Sequence, residues 1–576
     1  MHGVVETGGD PVGIIPKGSQ YCTCRAHWFP LSIHPAMDSL LVPLANASGA
    51  SLDQIKLIAC LLVSYPLGSL FIRIPSSQPA LKHAFNLAIA FFYFIPVLNL
   101  RGAFLQLLGD VLATYFIAAN VRGPNMPWIV FGVLMGHLTI NHIIRALFAM
   151  GYETFDITGP QMVLVMKLTT FAWNVWDGRR PQEDLDKWQI RMRVVKYPSI
   201  LEFLGYAFYF PGVLVGPYLE YAAYMSLIDE TLFQISEPPS GVERRRAIPD
   251  GRKRVAYRKL AFGLFYLGLF AGLGPSFNYG VTLSDWFQAK SLTYRILYLQ
   301  ICGPLERAKY YALWTLTEGS SILTGLGFTG YSPSGQSLWE GAANVNVSLI
   351  ENAPNFKVLL DSWNMKTNIW LRECVYKRVT PKGKKPGFKS SMITFATSAF
   401  WHGIALGYYL TFLFGGFMQT AGRLCRSSLR PLLLPVSPTP SMQQSSTAAN
   451  GVPEKKMRPT EPPRTTLKQA YDIAGTVVTV SLTNYATLPF MLSTWSSSIA
   501  SWTSLGWYGH WMLAVCFLFF YGGGRAWLKG VQARRVQRAT GVAVPLTRSN
   551  SSADVQSAHV VPPFDSAISE VQKSLK

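Results

Sequence analysis

A chain of 576 residues that is 49% hydrophobic, 13% aromatic and only 14% charged, with a positive mean hydropathy, is too apolar for a soluble protein of ordinary charge content; it reads as an all-α, polytopic integral membrane protein. The 52 Lys and Arg against 31 Asp and Glu give +21, an excess that in a membrane protein belongs in cytoplasmic loops facing anionic headgroups. No soluble-looking segment alternates basic residues with stacking aromatics, which argues against nucleic acid, and the seven scattered cysteines form neither a disulfide framework nor a metal-ligand spacing, so no metal is expected.

Residues 1–52 form a mixed N-terminal segment with Cys22 and Cys24 as its one close thiol pair. It lacks a basic stretch followed by a short apolar core, so the first spans are expected to do the targeting. Residues 53–425 are expected to form the membrane core. Apolar runs come at roughly 56–72, 84–98, 103–120, 127–149 and 160–176. The charged stretch Asp177 to Ser199 precedes an apolar run, Ile200 to Tyr224, and a second basic loop with ERRR at 243–246 and GRKR at 251–254 follows it. If both basic loops are cytoplasmic the run between them cannot cross once, and Pro211, Gly212, Gly216 and Pro217 supply the break for a re-entrant hairpin. Further runs lie at 260–283 and 292–330, the latter interrupted by Pro304, Glu306, Arg307 and Lys309. Residues 332–389 lose the long apolar runs but keep Trp339, Trp363 and Trp370, and read as interfacial. Residues 426–468, basic and rich in Pro, Ser and Thr, read as a disordered loop; 469–530 as closing membrane helices; 531–576 as a disordered cytosolic tail. The total comes to ten to twelve membrane segments.

The stretch SAFWHGIALGYYLTF, Ser398 to Phe412, sets one ionisable side chain, His402, in a run from Ser390 to Thr420 that holds no Asp, Glu, Lys or Arg. At about 1.5 Å per residue that run exceeds the roughly 30 Å hydrocarbon core, so His402 sits at membrane depth, where a titratable group is costly and marks a site unless it merely bridges two helices. Read as one helix, it places His402, Leu406 and Tyr409 on one face and Gly403 and Gly407 beside them. Thirty-eight residues upstream, DSWNMKTNIWLRECVYKR, Asp361 to Arg378, reads as an amphipathic element. There Asn364 and Asn368 lie one turn apart, Trp363 and Trp370 share a face, and Lys377, Arg378, Lys382, Lys384 and Lys385 form a basic cluster.

FWHGIALGYYLTF resembles the histidine motif of the membrane-bound O-acyltransferase family, and WNMKTNIWL resembles the asparagine motif of that family's lysophospholipid-acylating branch. EGSSILTGLGFTGY and the LEFLGY run are also similar to segments of that branch, closest to its fungal members, and the resemblance covers most of Leu57 to Leu528. It implies a chamber open to cytosol and bilayer, acyl-CoA as co-substrate without a further cofactor, a lysophospholipid as acceptor, and the endoplasmic reticulum membrane as location. It also implies His402 as general base and Asn364 as its polar partner. The residue types suit that chemistry: imidazole titrates near neutrality and can take a hydroxyl proton, and an amide can donate to the oxyanion of an attacked thioester or hold the imidazole's orientation.

Other candidates have a structural alternative beside them. Lys377 and Arg378 suit phosphate contacts or a solvated basic loop. Trp363 and Trp370 suit substrate contact or headgroup anchoring. Glu318 suits a chamber carboxyl or an interhelical hydrogen bond, and Tyr408 and Tyr409 suit acyl-chain contact or packing. Cys374 lacks a neighbouring base for an acyl-enzyme, and His137 and His142, five apart, miss ligand spacing and read as core residues. The same chemistry on a neutral lipid, sterol or protein acceptor is the nearest rival. A transporter would need inverted repeats and several intramembrane charges, which the sequence lacks.

Overall fold

The computed structural model describes residues 35–148, 150, 154–234, 248–381, 387–436 and 465–541. Cys22, Cys24, the 243–246 basic run, Lys382, Lys384, Lys385 and most of the Pro/Ser-rich loop and the tail lie outside the described residues.

Six helices open the described chain: α1 (Pro35–Ser48), α2 (Leu52–Phe71), α3 (Pro79–Phe92), α4 (Arg101–Asn120), α5 (Met126–Leu147) and α6 (Thr158–Gly178). Their starts follow local chemistry. Ser51 caps α2 in a reciprocal box with Gln54, and prolines occupy the first turns of α3 and α5, where a missing N–H costs nothing. Five helices among the described residues are long and apolar enough to cross a bilayer on composition alone: Leu52–Phe71, Pro79–Val97, Arg101–Asn120, Met126–Leu147 and Tyr508–Ala539. Other helices of spanning length carry polar residues. One of them, α6, is buried on nearly every side, which is the position of a helix at the centre of a bundle. The largest core cluster is built around it from α2 to α5 and the 200–228 segment, and a second cluster joins the later helices. The protein is an all-α, polytopic membrane protein; its only strands among the described residues are the short pair Gly330–Tyr331 and Ser337–Leu338.

The 200–224 run is broken as its sequence suggests. A helix, Ile200–Ala207, turns at Phe210–Gly212 and resumes at Tyr221–Ile228, with the turn buried inside protein. Lys167 of α6 donates to the Tyr206 and Ala207 carbonyls at the first helix's end, satisfying groups that hydrocarbon would leave bare.

Three expectations are corrected. Leu292–Thr324 is one helix through Pro304. Its charges do not interrupt it because they have partners: Arg307 Nη2 lies 2.6 Å from Glu351, Arg307 Nη1 donates to Asn484 Oδ1 at 2.6 Å, and Lys309 pairs with Glu306 at 3.0 Å. The helix begun at Leu406 runs to Leu433, so residues 426–433 belong to it and not to the loop. The last described helix, Arg525–Thr540, likewise takes in the first ten residues assigned to the tail.

Because Glu351 also accepts from Tyr311 at 2.7 Å, Glu351→Ala would leave a largely buried guanidinium without its counter-charge. A loss of about 3 kcal/mol is expected, read as a lower melting temperature of the detergent-solubilised protein than for Glu351→Gln.

Candidate active site

One face of α6 carries Met162, Met166, Thr169, Thr170, Trp173 and Asp177, at helical spacing. The Met162 carbonyl accepts from Trp401 Nε1 at 3.0 Å, and Met166 Sδ lies 3.3 Å from Thr367 Oγ1. Thr169 Oγ1 accepts from Trp370 Nε1 at 2.9 Å, and Thr170 Oγ1 lies 3.4 Å from Cys374 Sγ. Arg378 lies 4.2 Å above the Trp173 ring and grips Asp177 with two bonds of 2.9 and 2.5 Å. The asparagine and histidine segments are therefore fastened to the same helix, and they meet where the Trp370 and Trp401 rings pack 5.7 Å apart.

Neither segment is the continuous helix its spacing suggests. The helix Phe356–Ser362 stops, Trp363 is extended, and Asn364 adopts a left-handed conformation, φ 43° and ψ 52°, before Met365–Trp370 begins. Asparagine tolerates that region better than most residues. Asn344 explains the side chain's orientation. Its Oδ1 accepts from the Lys366 backbone N–H at 3.0 Å, so its Nδ2 must be the group facing Asn364, and it donates to Asn364 Oδ1 at 3.1 Å. The Thr367 hydroxyl donates to the same oxygen at 2.8 Å. With Oδ1 held twice, the Asn364 Nδ2 donors are left without a partner among the described residues.

Phe388–His402 ends on the histidine itself. Gly403 has φ 133° and ψ −167°, a conformation open only to glycine, and the next helix starts at Leu406. The expected common face of His402, Leu406 and Tyr409 is broken here, and Tyr408 is the tyrosine that packs against His402, ring centres 5.9 Å apart. Gly407 makes the close approach expected of it: a Cβ there would stand 2.0 Å from the Pro489 carbonyl. That approach brings Phe490 edge-on to His402 at 4.9 Å, while Phe412 stacks on it at 5.4 Å and Trp401 adds a third wall at 4.7 Å. His402 is partly exposed, and neither ring nitrogen has a hydrogen-bond partner among the described residues.

The remaining candidates divide. Trp363 is partly exposed beside Asn364 and packs on Tyr310 and Trp314 at 5.5 and 5.2 Å. Trp370 is fully buried with its indole N–H in use, a packing residue and not a substrate contact. Lys377 is held by Glu373 and Asp186 at 2.6 and 2.7 Å, so both cations proposed for phosphate already face carboxylates. Burial would raise the Asp186 carboxyl, but the Lys377 ammonium and the Gln189 and Trp188 amides outweigh it and hold the group below its ordinary range. Glu318 is buried 2.8 Å from Lys259, the interhelical alternative. Tyr409 makes no ring contact among the described residues, and Cys374 is fully buried. Sequence reasoning missed Asn344, Tyr310, Trp314 and Phe490, which no motif spacing links to the site; His142 is buried as expected, and its Nε2 reaches the Trp401 carbonyl at 3.3 Å.

An imidazole and an amide, both with donors or acceptors unengaged among the described residues, thus lie on segments fastened to one buried helix of a polytopic membrane protein. The chain belongs to the membrane-bound O-acyltransferase family: the family model described as MBOAT, membrane-bound O-acyltransferase family, matches residues 144–437. It is thus an O-acyltransferase. It is 37% identical over 472 residues, 82% of this chain and 87% of the relative, to a protein of Schizosaccharomyces pombe named lysophospholipid acyltransferase. A protein of the same name from Saccharomyces cerevisiae is 37% identical over 503 residues, 84% of this chain and 77% of the relative. The human membrane-bound glycerophospholipid O-acyltransferase 1 is 30% identical over 498 residues, 85% of this chain and 93% of the relative.

Gly403→Ala tests the helix break. The backbone there excludes a side chain at a cost of about 1 to 3 kcal/mol, and the new Cβ would stand 3.3 Å from His142 Nδ1. Acyl transfer is expected to fall at least about tenfold while the protein stays inserted, measured as turnover per folded molecule beside a gel-filtration profile.

Proposed function

We propose that the protein transfers a fatty acyl group from acyl-CoA to the free hydroxyl of a lysophospholipid, yielding a diacyl phospholipid and free coenzyme A. What supports this reading is that His402 and Asn364, on two segments joined through the packed Trp370 and Trp401 rings, keep ring nitrogens and amide donors unengaged among the described residues; the names of the relatives support the acceptor class. His402 takes the proton as the hydroxyl oxygen attacks the thioester carbon. The carbonyl oxygen gains charge as the tetrahedral intermediate forms, and Asn364 Nδ2–H donates to it. The C–S bond then breaks, and the imidazolium returns the proton to the departing sulfur as the thiol. No cofactor beyond the acyl-CoA co-substrate is needed, and the endoplasmic reticulum membrane is the location we assign on the family resemblance.

A thiol-release assay with oleoyl-CoA and lysophospholipids bearing choline, ethanolamine, serine, inositol or no further headgroup tests this. Wild-type protein is expected to release thiol with at least one acceptor, His402→Ala to release none, and Asn364→Ala to turn over about 10²- to 10³-fold more slowly with smaller effects on KM. Wild-type activity in His402→Ala would overturn the base assignment; wild-type inertness toward every lysolipid would overturn the acceptor.

A further inference from the structure

Resting on the reading of His402 as the base, we infer that His142 is a positioning residue that sets the direction of the His402 side chain. The helix Phe388–His402 stops one residue after Trp401; the Gly403 N–H serves the Ala399 and Phe400 carbonyls, and the Trp401 and His402 carbonyls lose their usual intrahelical donors. At membrane depth no bulk water replaces those donors. His142, buried on α5, answers for one of them: its Nε2 lies 3.3 Å from the Trp401 carbonyl. A carbonyl only accepts, so Nε2 carries the proton, and the ring's other nitrogen faces Gly403, where a Cβ would stand 3.3 Å from it.

The anchor is itself anchored. Asn141, next to His142, donates to Gln161 Oε1 at 2.8 Å, and Gln161 donates to Asp110 Oδ2 at 3.1 Å. Asp110 in turn meets His137 at 2.7 Å. This locks the register of α4, α5 and α6 at the level of His142. One residue along α6 from Gln161, the Met162 carbonyl takes the Trp401 indole N–H at 3.0 Å. Trp401 is therefore gripped twice, its side chain by α6 and its backbone by α5, and His402 leaves a peptide that cannot rotate without losing one of these bonds. The two histidines that read as unrelated core residues thus have distinct duties, His137 in the lock and His142 on the peptide beside the base.

The test compares two substitutions of His142 in purified full-length protein, with steady-state kinetics in acyl-CoA and in the best lysophospholipid. His142→Phe keeps a ring and loses the donor; kcat is expected to fall about 10- to 100-fold with both KM values within about twofold. His142→Gln keeps an N–H and is expected to lie within about threefold of wild type. Thermal melts accompany both, and should His142→Phe not fold, His142→Met replaces it as the donor-free arm under the same criterion. Wild-type kcat in the donor-free variant, or a His142→Gln as slow as that variant, overturns the inference. His402→Ala is measured in parallel. If it retains activity the base assignment has failed; if it is inactive while the donor-free variant is unimpaired, only the role of His142 has failed.

Discussion

Hydrocarbon offers no hydrogen bonds, so every interruption of a helix at membrane depth must be closed by protein. That constraint bears on this structure because both of its candidate catalytic residues sit where a helix is interrupted. Asn364 occupies a left-handed position between two short helices, and Asn344 closes the gap by accepting from Lys366 N–H and, through its own carbonyl, from Met365 N–H at 2.9 Å. His402 ends a helix, and the carbonyl of the residue before it is met by His142. Beyond the break, Gly407 N–H donates to the Ser493 carbonyl at 2.9 Å. The breaks let side chains leave the helical pattern, and the closures keep them from moving once they have left.

The helix that makes this possible is α6. Along one face it spends a backbone carbonyl, a thioether, two hydroxyls, an indole ring and a carboxylate on the two motif segments. At one end stands the bidentate Asp177–Arg378 pair, the kind of charge-assisted bond that fixes geometry as well as energy. A charge buried this deeply would be costly alone; matched by Arg378, whose guanidinium lies over the Trp173 ring, Asp177 becomes the fixed point from which the asparagine segment runs back to Asn364.

Much of this was legible in the sequence and some of it could not be. His402 stood out because an imidazole in a run without charges is conspicuous, and Asn364 because WNMKTNIWL resembles the family's asparagine motif. The membrane class followed from composition, and the broken 200–224 segment from its prolines and glycines. The backbone conformations were hidden: Gly403 reads as a packing glycine in a helix, and only its φ of 133° shows that it ends one. Partners were hidden too. Lys377 and Arg378 look available for phosphate until Asp186 and Asp177 are seen beside them, 191 and 201 residues away in the chain. His142 and Trp401 are separated by 259 residues, and no periodicity connects them. Pro304 misleads in the other direction, since the long helix simply continues past it.

The division of labour at the site follows from what orients each group. Among the described residues no carboxylate hydrogen-bonds to the His402 ring, so its direction is left to the peptide it leaves and to the rings of Phe412, Phe490, Trp401 and Tyr408. Aromatic walls restrict an imidazole sterically and by edge-to-face preference without placing a formal charge beside it. Asn364 is oriented in the opposite way, by polar contacts that occupy its oxygen and leave its N–H groups unengaged among the described residues. In the proposed reaction the base needs one unprotonated ring nitrogen open to take and return the proton, whereas the oxyanion needs an N–H donor. A hydrogen-bonded amide and an aromatic-walled imidazole meet those two requirements separately, and each would be weakened by the other's surroundings.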